Sequence, residues 1–310
     1  MPELPEVETV RAGLAPALIN ATITDVEILD VRSLKRHSGS VADFKHQLIG
    51  RKILAVVRRG KFLWMPLESD NIESPIALVG HLGMSGQMLL RTPDFEPDKL
   101  TRVIISARTQ DQQEVEFRFV DQRIFGSLAI EPLVATSDEK PGGYCPELGS
   151  ESNSYFLNLI PGSAAHIARD LLDPNFNTLA VIARLRKKNT GIKRALLDQG
   201  LMSGIGNIYA DEALWQAKVH YDQPASSLSQ QKAKELIEAA QGILERAVRV
   251  GGTSFDEQYK NVNGESGYFA ISLNAYGMTG KPCKRCGTSI KRDSWANRGS
   301  HFCPTCQKLR

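Results

Sequence analysis

Four cysteines lie near one end of the chain in two pairs, Cys283-Lys-Arg-Cys286 and Cys303-Pro-Thr-Cys306, with sixteen residues between the pairs. Each pair can form a tight knuckle that points two sulfurs at one ion. The spacing is that of a tetrahedral four-thiolate zinc site with a hairpin between the knuckles. A redox dithiol needs only one such pair, so the reading is one structural Zn²⁺ held by Cys283, Cys286, Cys303 and Cys306. Four thiolates leave the ion no open position, and no chemistry at zinc is expected. Metal binding there is folding energy, on the order of 10 kcal/mol for small zinc modules. The fifth cysteine, Cys145, has no partner in the pattern and reads as an incidental thiol.

A second reagent stands at the other end, where the sequence opens Met1-Pro2-Glu3. Removal of an initiator methionine before a small residue leaves Pro2 as a free secondary amine. An α-amino group titrates near about 8, against about 10.4 for lysine, so more of it is unprotonated near neutrality. Condensed with an aldehyde carbon, it gives an iminium that is cationic without a proton and acts as an electron sink for eliminations. Glu3 is adjacent and Glu6 is one helical turn away. Taken alone, the same residues also describe an ordinary inert terminus.

The chain has 310 residues, 42% apolar and 24% charged, which is about two domains of globular composition and excludes a wholly disordered protein. No stretch approaches the roughly 18 uninterrupted apolar residues of a membrane helix. The opening residues have neither the basic region nor the apolar core of a secretory signal. A cytoplasmic setting with reduced thiols and no membrane partner is expected. The net charge of +3 conceals a gradient. Residues 281–310 carry eight Lys and Arg against one acid, Asp293, a net of +7, while thirty basic residues face thirty-four acidic ones elsewhere, a net of −4. Arg58, Arg59 and Lys61 surround Gly60, and Arg184, Arg186, Lys187, Lys188, Lys193 and Arg194 form a run without an acid. One such cluster is ordinarily a solvated face. Three, with a basic metal-binding tail, point to nucleic acid.

These groups need elements to position them. Pro5, an acidic first turn and a stripe of Val7, Val10, Leu14 and Leu18 predict a helix over 5–19. From 22 to 130, short β-rich runs broken by Gly, Pro, Asp and Ser predict an antiparallel sandwich or barrel. Residues 131–163, rich in Pro, Gly and Ser, read as a linker with little fixed structure. The second half is helical in period: 166–174, 177–188, 192–199 and 207–219, with the strongest helix over 229–250, where Ser229 can cap the start and Gly251 stands at the C′ position. Residues 251–276 return to Gly, Asn and Ser and read as a long mobile loop. The fold class is therefore α+β: an antiparallel β-sandwich flanked by helices, then a helical domain, then a zinc finger.

Several motifs run in order along nearly the whole chain: Met1 to Thr9; Arg59-Gly60-Lys61; His81-Leu82-Gly83-Met84-Ser85-Gly86; Asp121-Gln122-Arg123-Ile124-Phe125-Gly126; Ile192-Lys193; Gly204 to Glu212; and Asn297-Arg298-Gly299 within the zinc tail. Together they resemble the bacterial formamidopyrimidine-DNA glycosylases. Leu4 favours that branch over the sister endonuclease VIII branch. The resemblance implies a bifunctional DNA glycosylase and abasic-site lyase that removes oxidised purines, 8-oxoguanine and formamidopyrimidines, from damaged double-stranded DNA, acting as a monomer in the bacterial cytoplasm with the nucleoid. It implies domains at 1–134 (catalytic β-sandwich), 165–260 (helix–two-turn–helix) and 277–310 (zinc finger), joined by a linker at 135–164 and a loop at 261–276.

By the same resemblance Pro2 is the nucleophile and Glu3 the proton donor that opens the sugar, while Glu6 braces the helix start. Lys61 serves β-elimination and a phosphate, and Arg298 serves δ-elimination and the phosphates. Lys188 and Asn207 touch DNA. Met84, Arg123 and Phe125 fill the space left when a base is extruded; His81, in the same stretch, reads as a hydrogen-bonded structural histidine. The lesion-covering loop falls within Gly251–Phe269. Two departures stand out. Leu100 follows Lys99 where relatives often have a histidine near DNA, with Arg102 the candidate replacement, and Met278 stands where relatives often have arginine. Two other readings remain: the same chemistry on oxidised pyrimidines, and a non-catalytic DNA-binding paralogue. The second has no use for an amine nucleophile.

Overall fold

The computed structural model describes residues 2–69, 73–96, 98–148, 154–252, 262–263 and 273–309. The chain forms two compact units, Met1–His166 with Thr253–Gly267, and Ile167–Gly252 with Tyr268–Arg310. Met1 and all but four residues of the expected lesion-covering loop lie outside the described residues.

The first unit opens with α1, Leu4–Leu18. Pro5 occupies its first turn, where an absent N–H leaves nothing unsatisfied. Glu3 and Glu6 close a capping box, in which the Glu3 N–H donates to Glu6 Oε2 at 2.8 Å, so Glu6 braces the helix start. Leu4, Val7, Val10, Leu14 and Leu18 are buried at helical spacing. Then follow β1 (Thr22–Ile28), α2 (Val41–Leu48), β2 (Val57–Arg59), β3 (Phe62–Pro66), β4 (Ile76–His81), β5 (Gly86–Arg91), β6 (Thr101–Arg108), β7 (Glu114–Asp121), β8 (Ser127–Ala135) and β9 (Leu159–Pro161). Every pairing among these strands is antiparallel, giving sheets of order β1-β6-β7-β5 and β2-β3-β4-β8-β9.

The two sheets share one core. Val26, Met88, Ile105 and Phe119 of the first sheet meet Met65, Leu78, Leu128 and Ile130 of the second, with Val7, Val10 and Leu14 of α1. The five-stranded sheet is covered on its other face too, where Val57, Trp64, Ala77 and Val79 pack with Leu133, Phe156 and Ile160. That second cover explains why β3 and β4 read as unbroken apolar runs rather than alternating ones.

The cover comes from a stretch expected to carry little fixed structure. Residues 135–164 are instead part of the first unit. Residues Leu159–Pro161 pair with Leu133–Ala135, and Tyr144 exchanges backbone hydrogen bonds of 2.7 and 3.1 Å with Arg58. Gly142 and Gly143 are there for close approach, because a Cβ at either would strike the backbone of Leu159 or Arg58. Glycines that signal a flexible linker in a sequence here allow two backbones to touch.

The second unit contains α3 (Thr178–Leu185), α4 (Ile192–Leu196), α5 (Asn207–Ala217), α6 (Gln230–Arg249) and the hairpin β10 (Lys291–Trp295) to β11 (Arg298–Phe302). The α6 boundaries follow the sequence signals. Ser229 accepts from the Lys232 N–H at 3.1 Å, and Gly251 and Gly252 donate to Val248 and Ala247 in a Schellman closure. The helix expected over 166–174 does not form. Asp170 and Asp173 accept from the N–H groups of Leu172 and Asn175, so local side-chain bonds outcompete the helical ladder.

Ile160 is almost wholly buried in the second core. Ile160→Ala should therefore lower unfolding free energy by about 2–4 kcal/mol in a denaturant titration, as a core truncation does. A change below about 0.5 kcal/mol would mark the stretch as a loose linker after all.

Candidate active site and metal centre

Pro2 and Glu3 are buried at the start of α1, and the extended backbone at Glu3 lets the chain enter the helix. Lys61 stands half-buried in the turn between β2 and β3, beside Gly60 at a φ of +58°, a conformation suited to glycine. A buried ionic cluster ties these two places together. Arg58, wholly buried, donates from Nε to Glu8 Oε2 at 2.8 Å and from Nη1 to the Gly60 carbonyl at 3.2 Å. Arg11 donates from Nε to both Glu8 oxygens at 3.1 Å, and from Nη1 to both Glu147 oxygens at 2.9 and 2.7 Å. Both guanidinium groups lie 5.5 Å from the Tyr144 ring centre. Burial pulls the Arg11 guanidinium down, but its bonds to Glu8 and Glu147 prevail and hold its pKa above the ordinary value. Of the basic cluster around Gly60, Arg58 and Arg59 are thus interior braces rather than a solvated face. Cys145 lies beside this cluster, its thiol pushed up to about 11 by burial and the Glu147 charge, so it is inert near neutrality.

Met84 and Phe125, 42% and 49% exposed, stand out from the β4–β5 and β7–β8 turns, and Arg123 is exposed beside Phe125. Core packing does not account for them. His81 lies at the end of β4, where its Nδ1 accepts from the Gly83 N–H at 3.1 Å and its ring meets Phe62 edge-on. Burial, with the charges of Arg36 and Lys35, pushes the imidazole down to about 4. It is a neutral brace, as the sequence suggests. Arg102, the candidate replacement at the Leu100 departure, is engaged with Asp30 and with the Asp121 carbonyl.

In the second unit Asn207 opens α5, with Gly206 as the cap residue. Its Nδ2 donates to the Gly299 carbonyl at 3.2 Å, and its buried Oδ1 has no hydrogen-bond partner among the described residues. The same carbonyl accepts from Lys193 Nζ at 3.0 Å. Lys193 also reaches Ser300 Oγ at 2.9 Å and pairs with Asp211 Oδ1 at 2.6 Å, both charges wholly buried. Asp211 Oδ2 in turn accepts from the His301 backbone N–H at 2.9 Å. Lys193, counted by sequence in a polyanion-binding run, is therefore an internal clamp on β11. The clamp fixes the hairpin tip, where Ala296 and Asn297 both adopt positive φ, as a two-residue turn of this kind requires, and Arg298 stands exposed just beyond. Lys188 pairs with Asp198 at 2.7 Å and keeps that carboxyl below its ordinary value.

The sulfurs of Cys283, Cys286, Cys303 and Cys306 lie within 4.8 Å of one another. Zinc–sulfur bonds of about 2.3 Å put tetrahedral sulfurs about 3.8 Å apart, so the four fit one ion. Outer donors suit thiolates: the Trp215 Nε1–H points at Cys283 Sγ and the Cys306 N–H at Cys303 Sγ, each at 3.4 Å. Met278, the second departure, packs against this cluster. The chain holds one structural zinc here.

Sequence reasoning missed the pairs Arg11–Glu147 and Lys193–Asp211. The spacing of Glu8 and Arg11 on one helix face was a local signal for half of the first; nothing local announced Glu147.

Comparison with known proteins places these geometries. Residues 1–128 match the formamidopyrimidine-DNA glycosylase N-terminal domain, 167–258 the H2TH domain of the same enzymes, and 280–309 the zinc finger found in FPG and IleRS. The formamidopyrimidine-DNA glycosylase of Leifsonia xyli subsp. xyli is 53% identical over 309 residues, covering 100% of both chains. That of Streptomyces avermitilis is 46% identical over 308 residues, covering 99% of this chain and 98% of the other. Among solved structures, a Lactococcus lactis FPG variant bound to Fapy-dG containing DNA superposes with a TM-score of 0.78 at 30% identity, covering 99% of this chain and 100% of that one. MutM in complex with carbocyclic 8-oxo-G containing DNA gives 0.76 at 31%, with the same coverage.

Two outcomes follow from the site chemistry. The folded pKa of His81 is depressed, so the stability it contributes is present above pH 6.5 and is lost as pH falls toward about 4. An NMR titration should find this imidazole turning over near the lower value, and His81→Gln should flatten that limb of the stability–pH curve. Atomic absorption should find one zinc per chain in the wild type and none in Cys303→Ser, whose second unit should melt at a lower temperature.

Proposed function

The chain belongs to the formamidopyrimidine-DNA glycosylase family, enzymes of oxidised-purine repair, and from that premise we propose that it excises 8-oxoguanine and formamidopyrimidines from duplex DNA through Pro2 and then cleaves the abasic strand. With Met1 removed, the Pro2 amine attacks C1′ as the glycosidic bond breaks and its electrons leave with the base. Glu3 gives a proton to the ring oxygen, so that C1′–O4′ opens to an iminium. Loss of a C2′ proton then expels the 3′ phosphate, with Lys61 assisting. A second elimination, with Arg298 on the phosphates, expels the 5′ one. The iminium supplies the electron sink for the first elimination, so the zinc has no part in the chemistry and serves to fold the hairpin that carries Arg298. Met84, Arg123 and Phe125 fill the vacated stack, and Lys188 and Asn207 take phosphates. The substrate places the protein with the nucleoid, in the cytoplasm.

The observation that carries this reading is the buried Glu8–Arg11–Arg58 cluster, which fixes the start of α1 and the Lys61 turn within one unit. The helix that begins with Glu3 and the turn that carries Lys61 are thereby tied to one buried base.

Borohydride added during reaction with an 8-oxoguanine duplex should trap a covalent adduct that peptide mass spectrometry assigns to Pro2. A protein with a blocked terminus should give none. A processed enzyme that excises the base yet yields no adduct would refute the proline route. Arg298→Ala should leave excision within a few fold but shift the product from the doubly eliminated 3′ phosphate to the singly eliminated unsaturated aldehyde, visible on a sequencing gel.

A further inference from the structure

We propose that Asp121 is a positioning residue for base extrusion: its buried carboxylate locks the two turns that carry Met84, Arg123 and Phe125 into a single preformed wedge. The inference rests on the function proposed above. Asp121 ends β7 and is wholly buried. Its Oδ1 accepts from Ser85 Oγ at 2.6 Å and from the Arg123 N–H at 3.1 Å, while Oδ2 accepts from the Gly126 N–H at 2.7 Å. Ser85 Oγ also accepts from the Arg123 N–H at 3.2 Å. One carboxylate thus joins the residue after Met84 to both ends of the segment that carries Arg123 and Phe125.

The backbones agree with such a lock. Ile124, between the two candidate fillers, has a φ of +56°, a conformation that a β-branched residue keeps only when its surroundings impose it. The Asp121 bonds on either side impose it, and Lys35 Nζ adds a bond to the Ile124 carbonyl at 2.6 Å. In the facing turn Gly83 has a φ of +62°, and a Cβ there would lie 2.6 Å from the backbone of Phe125 and Gly126. The two turns touch main chain to main chain.

The chemistry selects an acid at this position. Three donors converge on Asp121, and a carboxylate offers acceptors on both oxygens. An asparagine of the same size offers one acceptor, and its amide would meet either the Gly126 N–H or the Ser85 and Arg123 donors, donor against donor. Burial of a charge is costly unless such bonds are made, so the site is kept for what it orders. What it orders is a pair of exposed apolar side chains and an exposed guanidinium. Fixed in advance, they enter the stack without the loss of freedom that loose turns would suffer.

The test compares a reaction that needs extrusion with one that does not, using the full-length zinc-loaded protein. Asp121→Asn should slow single-turnover excision of 8-oxoguanine from duplex DNA about 10- to 100-fold. It should leave cleavage of a single-stranded abasic oligonucleotide within about twofold, since no base has to be displaced there. Stopped-flow fluorescence of 2-aminopurine beside the lesion should show the loss in the opening step. Ser85→Ala, which removes one donor and leaves Asp121 those of Arg123 and Gly126, should slow duplex excision about 3- to 10-fold with the same selectivity, and stands in if the asparagine variant does not fold. Duplex excision at the wild-type rate in both variants, or equal losses on the two substrates, would overturn the inference. A wild-type protein that excises nothing would instead bring down the proposed function, and this inference with it.

Discussion

Glu8 is the pivot of the first unit. Its carboxylate, removed from water, receives Arg58 from the β2 strand and Arg11 from its own helix, and Arg11 passes the link on to Glu147. Such a cluster is weak evidence for stability, because the desolvation of several charges offsets most of their attraction. Its effect is on register. A guanidinium offers fixed donor directions, and two of those of Arg58 are directed at one carboxylate oxygen on α1 and one carbonyl in the Lys61 turn. Rotation of α1, or slippage of the hairpin by one residue, would strand a buried charge, which costs far more than the pair contributes. The helix start is therefore held in one orientation by an interaction whose main energetic feature is intolerance of alternatives.

The second unit uses the same device with a different partner. Lys193 and Asp211, both wholly buried, hold β11 by Gly299, Ser300 and His301. The zinc finger alone has little else: its buried cluster is Trp215, Ala275, Ile290 and two of the cysteines, too few apolar groups to fold a small module without a metal. Metal and ion pair divide the task. The four thiolates close the knuckles, and the clamp orients the hairpin that the knuckles support. Trp215 belongs to both, being part of α5 and donating to Cys283.

What the sequence revealed and what it hid follow one physical line. The zinc ligands, the Ser229 cap and the amphipathic stripe of α6 are patterns among near neighbours, and near neighbours are legible. The β3 and β4 runs were legible as strands but not as doubly buried ones, because the cover arrives from the stretch over 135–164, whose Gly142 and Gly143 suggest flexibility. The helix expected over 166–174 had the right apolar period, yet two aspartates bonded to their own following N–H groups ended the matter locally. The braces of the site were the least visible. Arg11 and Glu147 are 136 residues apart, Lys193 and Gly299 106 apart, and a basic residue in a basic run carries no mark that it will be buried. Charge counting therefore overstated the cationic surface, since Arg58, Arg59 and Lys193 are spent inside.

That redistribution bears on how the protein could hold a polyanion. Several arginines and a lysine are internal, many other cations stay exposed, and two of the exposed ones, Arg123 and Arg298, each stand at the edge of a turn with constrained backbone. A diffuse basic surface binds phosphate with little regard to register. Cations on turns whose φ values are fixed by neighbouring bonds can address only phosphates or base edges at set positions. The exposed cations of the basic run and tail supply sequence-independent attraction, and the two turn-borne arginines add contacts at set positions, a division that suits an enzyme that must find one altered base among many normal ones.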